Sequence, residues 1–439
     1  MSHPALPFDP TASLTSGLVE LIDARIVSDA ELRGAAMFAL DAISNIIGGL
    51  GSPDMQAMLD WARSEPVNPG RKALVLGAAS AVLEMDAMHR ESSVHAGTNV
   101  VPAVLAMTDG TKASGQSFLT ALLKGSEAAF RIGRASGPAH YKMYQTSATC
   151  GVYGAALASA WLLGLDKAQA VHALGNAGTQ SSGLWEYRET GAATKQLHAG
   201  SAAEGGVVAA QLAAHGFTGP LKILEGNRGF FRAACPDARP DAVLRDPQAP
   251  WGLGGSSIKP WPSSRHTHPA IDAALGLADA VKNRRITSVE IETYQTAVDL
   301  CSNATPASPH QGKSSLQYCV AVALGDGRVD LGSFTPEAYQ RHRALAAGMV
   351  LRAGKPYDSA YPKSWGAGVK VVFEDGAAAT SERASCKGDP EAPLSDTELK
   401  EKARGLLVLG GVKNPEVLME AILRMADGGP VPVLPFFWN

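Results

Sequence analysis

The sequence predicts a mainly α protein, with a large all-helical domain, a smaller α+β domain after it and a helical C-terminus. Three observations carry that expectation. Up to about residue 260 apolar residues recur at helical spacing with little strand pattern. Beyond "KPWPSSRHTHP" the residues alternate apolar and charged at 287–294 and 368–373, as half-buried strands do. Ser395-Asp-Thr-Glu398 then forms a capping box that reopens helix.

The first element opens at a capping box, Ser28-Asp-Ala-Glu31. Leu32, Ala36, Leu40, Ile43 and Ile47 follow at helical spacing until Gly48-Gly49. Further helices are expected at 73–88, 115–134, 147–164, 167–182 and 199–214, the last stopped by Gly216. Many carry Ala and Gly where Leu would be usual, so their axes can approach closely. In the α+β part, strands at 287–294 and 368–373 flank helices near 313–324 and 335–347, and Glu374-Asp375-Gly376 makes a turn. Helix returns to about Leu409 and again from Asn414 to Met425. Linkers are placed near 263–268 and at 387–394, marked by "KGDPEAP". The linkers part the chain into 1–265, 266–393 and 394–439.

Composition narrows the function. The chain of 439 residues is 45% hydrophobic and 18% charged with a formal net charge of -3, a soluble globular texture without the basic field that nucleic acid or an acidic membrane requires. Cys150, Cys235, Cys301, Cys319 and Cys386 are scattered and odd in number, which fits a reducing cytoplasm and suggests neither a disulfide framework nor a zinc site. No secretion signal opens the sequence, and the longest apolar run, 150–165, is shorter than a membrane span and broken by three Gly.

Four stretches concentrate ionisable groups among small residues. "LEMDAMHRESSVHAG" holds Asp86, His89 and His95; if the helix continued, Asp86 and His89 would share a face, as an acid/base pair or a solvated helix end. "GPAHYKMYQTSATCG" carries His140, Tyr144 and Gln145 into the N-terminus of a buried helix, whose unpaired N–H groups can seat a carboxylate. In "GAATKQLHAGSAAEGG", Lys195 and His198 lie in close-packed surroundings, where a buried ammonium needs Glu204 or an anionic ligand as partner. "GLGGSSIKPWPSSRHTHP" holds Lys259, Arg265 and His266. It is not a phosphate-binding P-loop, since Ile258 and Pro260 flank the lysine, and the His266/His268 pair lacks the further ligands a metal site needs.

Together these stretches resemble the MmgE/PrpD family, which includes dehydratases, decarboxylases and epimerases of small carboxylic acids. The resemblance spans nearly the whole chain and is most specific in "GAATKQLHAGSAAEGGVVAAQLAAHGFTGPLKILEG" and "KPWPSSRHTHPAIDAA", with support from "HAGTNVVPAVLA", "CGVYGAALASAWLLGL" and "SSLQYCVAVALGDGRV". It implies that 1–265 plus 394–439 form one helical domain and 266–393 an inserted α+β lid, with a homodimer and an interdomain active site that uses no metal or organic cofactor. By motif, Asp86 corresponds to the first Asp of the family's D-x-D-D segment, His95 to the His of its H-P segment and Lys195 to the Lys of T-K-x-L-H. Lys259 opens the K-x-x-P segment, and Tyr318 falls in the matching lid helix. The chain departs from the pattern at Met88 and His89, at Ala96, and at Tyr144-Gln145-Thr146-Ser147, where a site His is usual.

Family substrates are di- or tricarboxylates, in which charge develops on a carbon beside a carboxylate, so cations must already face that carboxylate. Lys195 and Lys259, with Arg265 as a third candidate, are expected to hold the carboxylates. His95 or His140 would move the proton, Asp86 would orient it, and Tyr318 would add a hydrogen bond. His89, Tyr144, Gln145, His198 and His266 are expected around the substrate. A lyase losing water or carbon dioxide is the first expectation, an epimerase the second, and a carboxylate-binding protein without catalysis the third.

Overall fold

The structure is a computed structural model that describes residues 13–434. The chain is mainly helical and divides into two compact units. One takes the chain up to Val82, Asp86–Ser256 and the chain from Asp396; the other takes Leu83–Met85 and Ser257–Ser395. The division falls before Lys259 and Arg265, so both stand in the second unit rather than at the end of the helical one.

In the first unit the capping box at Ser28 is formed, with the Glu31 amide donating to Ser28 Oγ and the Ser28 amide to Glu31 Oε2, and the helix runs Asp29–Leu50. Its centre is Thr146–Leu162, buried from Thr146 to Ala160 and packed on Ala96–Thr111, Gly115–Ser136 and Thr194–Ala214. A helix buried all round shows no polar face, which is why its small residues matter. A Cβ on Gly206 would lie 2.3 Å from that of Ala155, and one on Gly200 would lie 2.3 Å from the Leu74 carbonyl oxygen. Glycine lets Thr194–Ala214 lie against both Thr146–Leu162 and Pro69–Val82.

Three local differences from the sequence reading bear on the site. The helix expected over 73–88 spans Pro69–Val82 and stops, because Glu84 takes a left-handed φ of 61° and Met88–His89 is extended. Asp86 and His89 therefore do not share a helical face. Helix Ala96–Thr111 contains Pro102, which hid it in the pattern. The helix expected from 199 begins at Thr194, placing Lys195 in its first turn and His198 at the start of its second.

The second unit holds a four-stranded sheet in the order Val350–Ala353, Ile286–Thr293, Ala367–Phe373, Ala378–Arg383. The first pair is parallel and the others antiparallel. Ile291 stands opposite Leu351 on one side and Val369 on the other. Val289, Ile291, Val369, Val371 and Phe373 are buried, with helix His268–Leu275 against the sheet and Leu316–Asp326 packed on that helix. Among the described residues no single helix is long and apolar enough to cross a membrane.

Candidate active site

In the first unit the residues that can do chemistry lie near three helix starts. His95 is the N-cap of Ala96–Thr111 and Gln145 that of Thr146–Leu162. The His95 amide donates to Ser147 Oγ at 3.0 Å, and Asn99 Nδ2 donates to both the His95 and the Ser147 carbonyl oxygens at 3.1 Å. These bonds fix the His95 backbone. Its ring is fixed by Asp86, whose Oδ2 lies 2.6 Å from His95 Nδ1; the side chains are 6% and 14% exposed. With Nδ1 facing that carboxylate, Nε2 is the nitrogen left to exchange a proton.

A second imidazole is held in a similar way by a neutral group. His198 Nδ1 lies 2.9 Å from Gln145 Oε1, and the ring stands edge-on to Tyr187. The Gln145 amide donates to the Gly183 carbonyl at 2.8 Å, which seats that side chain. Burial, with the nearby Lys195 ammonium, holds the His198 pKa below the usual histidine value. Lys195 is half-buried one turn earlier on the same helix. Glu204, its alternative partner in the sequence reading, has its pKa raised by burial, against the opposing charge of Arg71.

Two histidines expected at the substrate are occupied otherwise. His140 is fully buried, with Nδ1 2.8 Å from the Ala234 carbonyl and Nε2 2.8 Å from Thr149 Oγ1. Both nitrogens are engaged and burial lowers its pKa, so it braces the segment and Tyr144 stacks on its ring at 4.9 Å. His89 stacks on Phe130 at 4.2 Å and bonds Ser92 Oγ at 2.8 Å. Burial, aided by Arg134 and Arg90, lowers its pKa to about 3, so it is a neutral packing group.

Within the second unit, Lys259 is 1% exposed, its Nζ 3.3 Å from the Glu84 carbonyl oxygen and 3.6 Å from Glu84 Oε2. Sequence reasoning missed Glu84, although it stands two residues before Asp86. Arg265, expected as a third carboxylate clamp, is instead paired with Asp389 in the core. His266 lies flat on Trp365 with Nδ1 2.7 Å from the Tyr294 hydroxyl, and His268 Nε2 faces the Ser263 carbonyl oxygen at 3.3 Å. The Tyr318 hydroxyl donates to the Ser333 carbonyl at 2.7 Å, and burial raises its pKa. Arg265, His266 and Tyr318 thus each have a partner inside the unit. Among the described residues no three His, Cys, Asp or Glu side chains converge as metal ligands would.

Comparison with known proteins covers both units. The MmgE/PrpD N-terminal domain matches residues 18–242 and the MmgE/PrpD C-terminal domain residues 261–422. The cis-aconitate decarboxylase-like protein oryM of Aspergillus oryzae is 27% identical over 368 residues, covering 77% of this chain and 75% of the relative. Cis-aconitate decarboxylase of Aspergillus terreus is 26% identical over 414 residues, covering 84% and 81%, and that of Homo sapiens 26% over 352 residues, covering 76% and 72%. With both domain descriptions matched over most of its length, the chain belongs to the MmgE/PrpD family.

Proposed function

We propose that the protein is a lyase acting on a small di- or tricarboxylate by proton transfer beside a carboxylate, and that decarboxylation of cis-aconitate is the reaction to test first. The observation that carries the reading is the Asp86–His95 pair, a buried carboxylate fixing one nitrogen of an imidazole and leaving the other to exchange a proton. The relatives named above supply the substrate class.

Loss of carbon dioxide breaks a carbon–carbon bond and leaves its electron pair on the remaining skeleton. That charge spreads toward the neighbouring carboxylates, so cations bound there lower the barrier. Lys195 serves as one such cation and Lys259 as another. Protonated His95 delivers the proton that quenches the carbanion and regains one from solvent, while Asp86 stabilises the imidazolium between turnovers.

A second reading, epimerisation of a small dicarboxylate, rests on the second imidazole. His198 also keeps Nε2 for proton exchange, and two bases flanking one carbon are what inversion needs. One experiment separates the two readings. Purified protein is incubated in D2O with a panel of di- and tricarboxylic acids, with and without chelator, and followed by NMR. Carbon dioxide release with one deuterium in the product supports the lyase. Deuterium in inverted substrate supports the epimerase, and thermal stabilisation without turnover would overturn both.

A further inference from the structure

The Lys259 loop has a fastening of its own. Asp389 is fully buried, and its Oδ1 accepts from Ser257 Oγ at 2.6 Å and from Arg265 Nη2. Its Oδ2 accepts from the Cys386 amide at 3.0 Å. Ser257 and Arg265 bracket Lys259 in sequence, so one carboxylate ties down both ends of the segment that carries the lysine. A carboxylate removed from water is stable only when such donors satisfy it, and the arrangement therefore acts as one unit.

A backbone contact tightens the same clasp. The Ile258 amide, immediately before Lys259, donates to the Gly388 carbonyl at 2.8 Å, and the Gly388 amide donates to the Ala392 carbonyl at 2.8 Å. Gly388 has a φ of 91°, and a Cβ there would lie 2.0 Å from the Ile258 carbonyl oxygen. Only glycine permits both that conformation and that approach. The Lys387 amide in turn donates to Asp272 Oδ2 at 2.7 Å, anchoring the clasp to helix His268–Leu275.

We propose that Asp389 is a positioning residue for Lys259: through Ser257, Arg265 and the Gly388–Ile258 contact it fixes the loop that aims the lysine. The catalytic part of this inference rests on reading Lys259 as a cation that binds a substrate carboxylate; the positioning part does not. A side chain held in one geometry binds its partner without the cost of ordering it at each turnover.

The test joins a labelling assay with a mutant cycle on the full chain. Competitive acetylation with acetic anhydride, read by mass spectrometry, reports the protection of Lys259 without any substrate. Asp389→Asn should acetylate Lys259 about tenfold faster than wild type, a coupling usual for residues in one network, while the exposed Lys142 and Lys363 react unchanged. On cis-aconitate, kcat/KM should fall about tenfold in Asp389→Asn, mainly through KM, and the change should vanish in the Lys259→Ala background. Unchanged Lys259 protection in both Asp389→Asn and the milder Ser257→Ala, or an equal activity loss with and without Lys259, would overturn the proposal. Full activity in Lys259→Ala would instead remove the clamp reading and leave the acetylation result to decide positioning alone. Ser257→Ala, which removes one donor and no charge, also stands in if Asp389→Asn fails to fold.

Discussion

His95 Nδ1 and Asp86 Oδ2 lie 2.6 Å apart, and the two residues reach that distance from different local structures. His95 is the N-cap of a helix, while Asp86 lies in the irregular stretch after Val82, where the preceding helix has ended. Their pairing depends on that ending, because a continued helix would have carried Asp86 onto a helical face instead.

Asp86→Asn should lower kcat by about 10²- to 10⁴-fold with the fold retained, since an amide can meet Nδ1 but cannot stabilise the imidazolium. Steady-state kinetics on the accepted substrate, with a thermal melt of the same sample, check it. A variant with near-wild-type kcat would remove His95 from the proton-transfer step.

Lys195→Ala should lower kcat/KM by about 100-fold, the scale of losing one charge-stabilising donor, without lowering the melting temperature. Lys195 is half-buried in the first turn of its helix, so truncation leaves the close packing at Gly200 untouched. Normal turnover in this variant would exclude Lys195 as a carboxylate cation.

Acidification should destabilise the protein through His89. Its pKa lies at about 3 in the folded chain against 6.5 for the free group. Below pH 6.5 the unfolded chain takes up a proton that the folded chain refuses, so stability falls as pH drops from 6.5 toward 3 and is fully present above that range. At pH 5 the loss amounts to about 2 kcal/mol. Denaturant midpoints at pH 7 and pH 5 should show a smaller drop in His89→Gln than in wild type; an unchanged drop would mean that His89 is protonated in the fold.

Arg265→Met should cost about 3–5 kcal/mol of stability, because it removes one partner of a buried ion pair with Asp389 in the core. Replacing Asp389 by Leu in the same chain should return much of that loss. Urea unfolding of the single and double variants measures both. A substrate clamp at Arg265 would instead give a raised KM with unchanged stability.

How much of this was legible in the sequence varied with how local the cause was. The Ser28 capping box and the strands at 286–293 and 367–373 declare themselves through neighbours a few residues away. The start of Thr194–Ala214 does not, since Ala193 at its N-cap offers no side chain to bond the first turn. Lys195, His95 and Asp86 were found through motif resemblance, and the Asp86–His95 contact is compatible with the expected orienting role. His140 and His89 looked equally available, because sequence does not show that Ala234, Thr149, Ser92 and Phe130 occupy them. The partner of Arg265 was hidden for a related reason: it lies 124 positions away in a segment that reads as linker.

The three residues Leu83–Met85 pack with the second unit although the chain on both sides packs with the first. The protein is therefore not modular in the sense a gene splice requires. A fragment excised as one continuous piece, Ser257–Ser395, would leave Glu84 behind and carry Lys259 away without the carboxylate beside it. Transplanting the α+β unit between relatives requires moving that tripeptide as well, and a chimera that overlooks it would separate the buried Lys259 ammonium from Glu84.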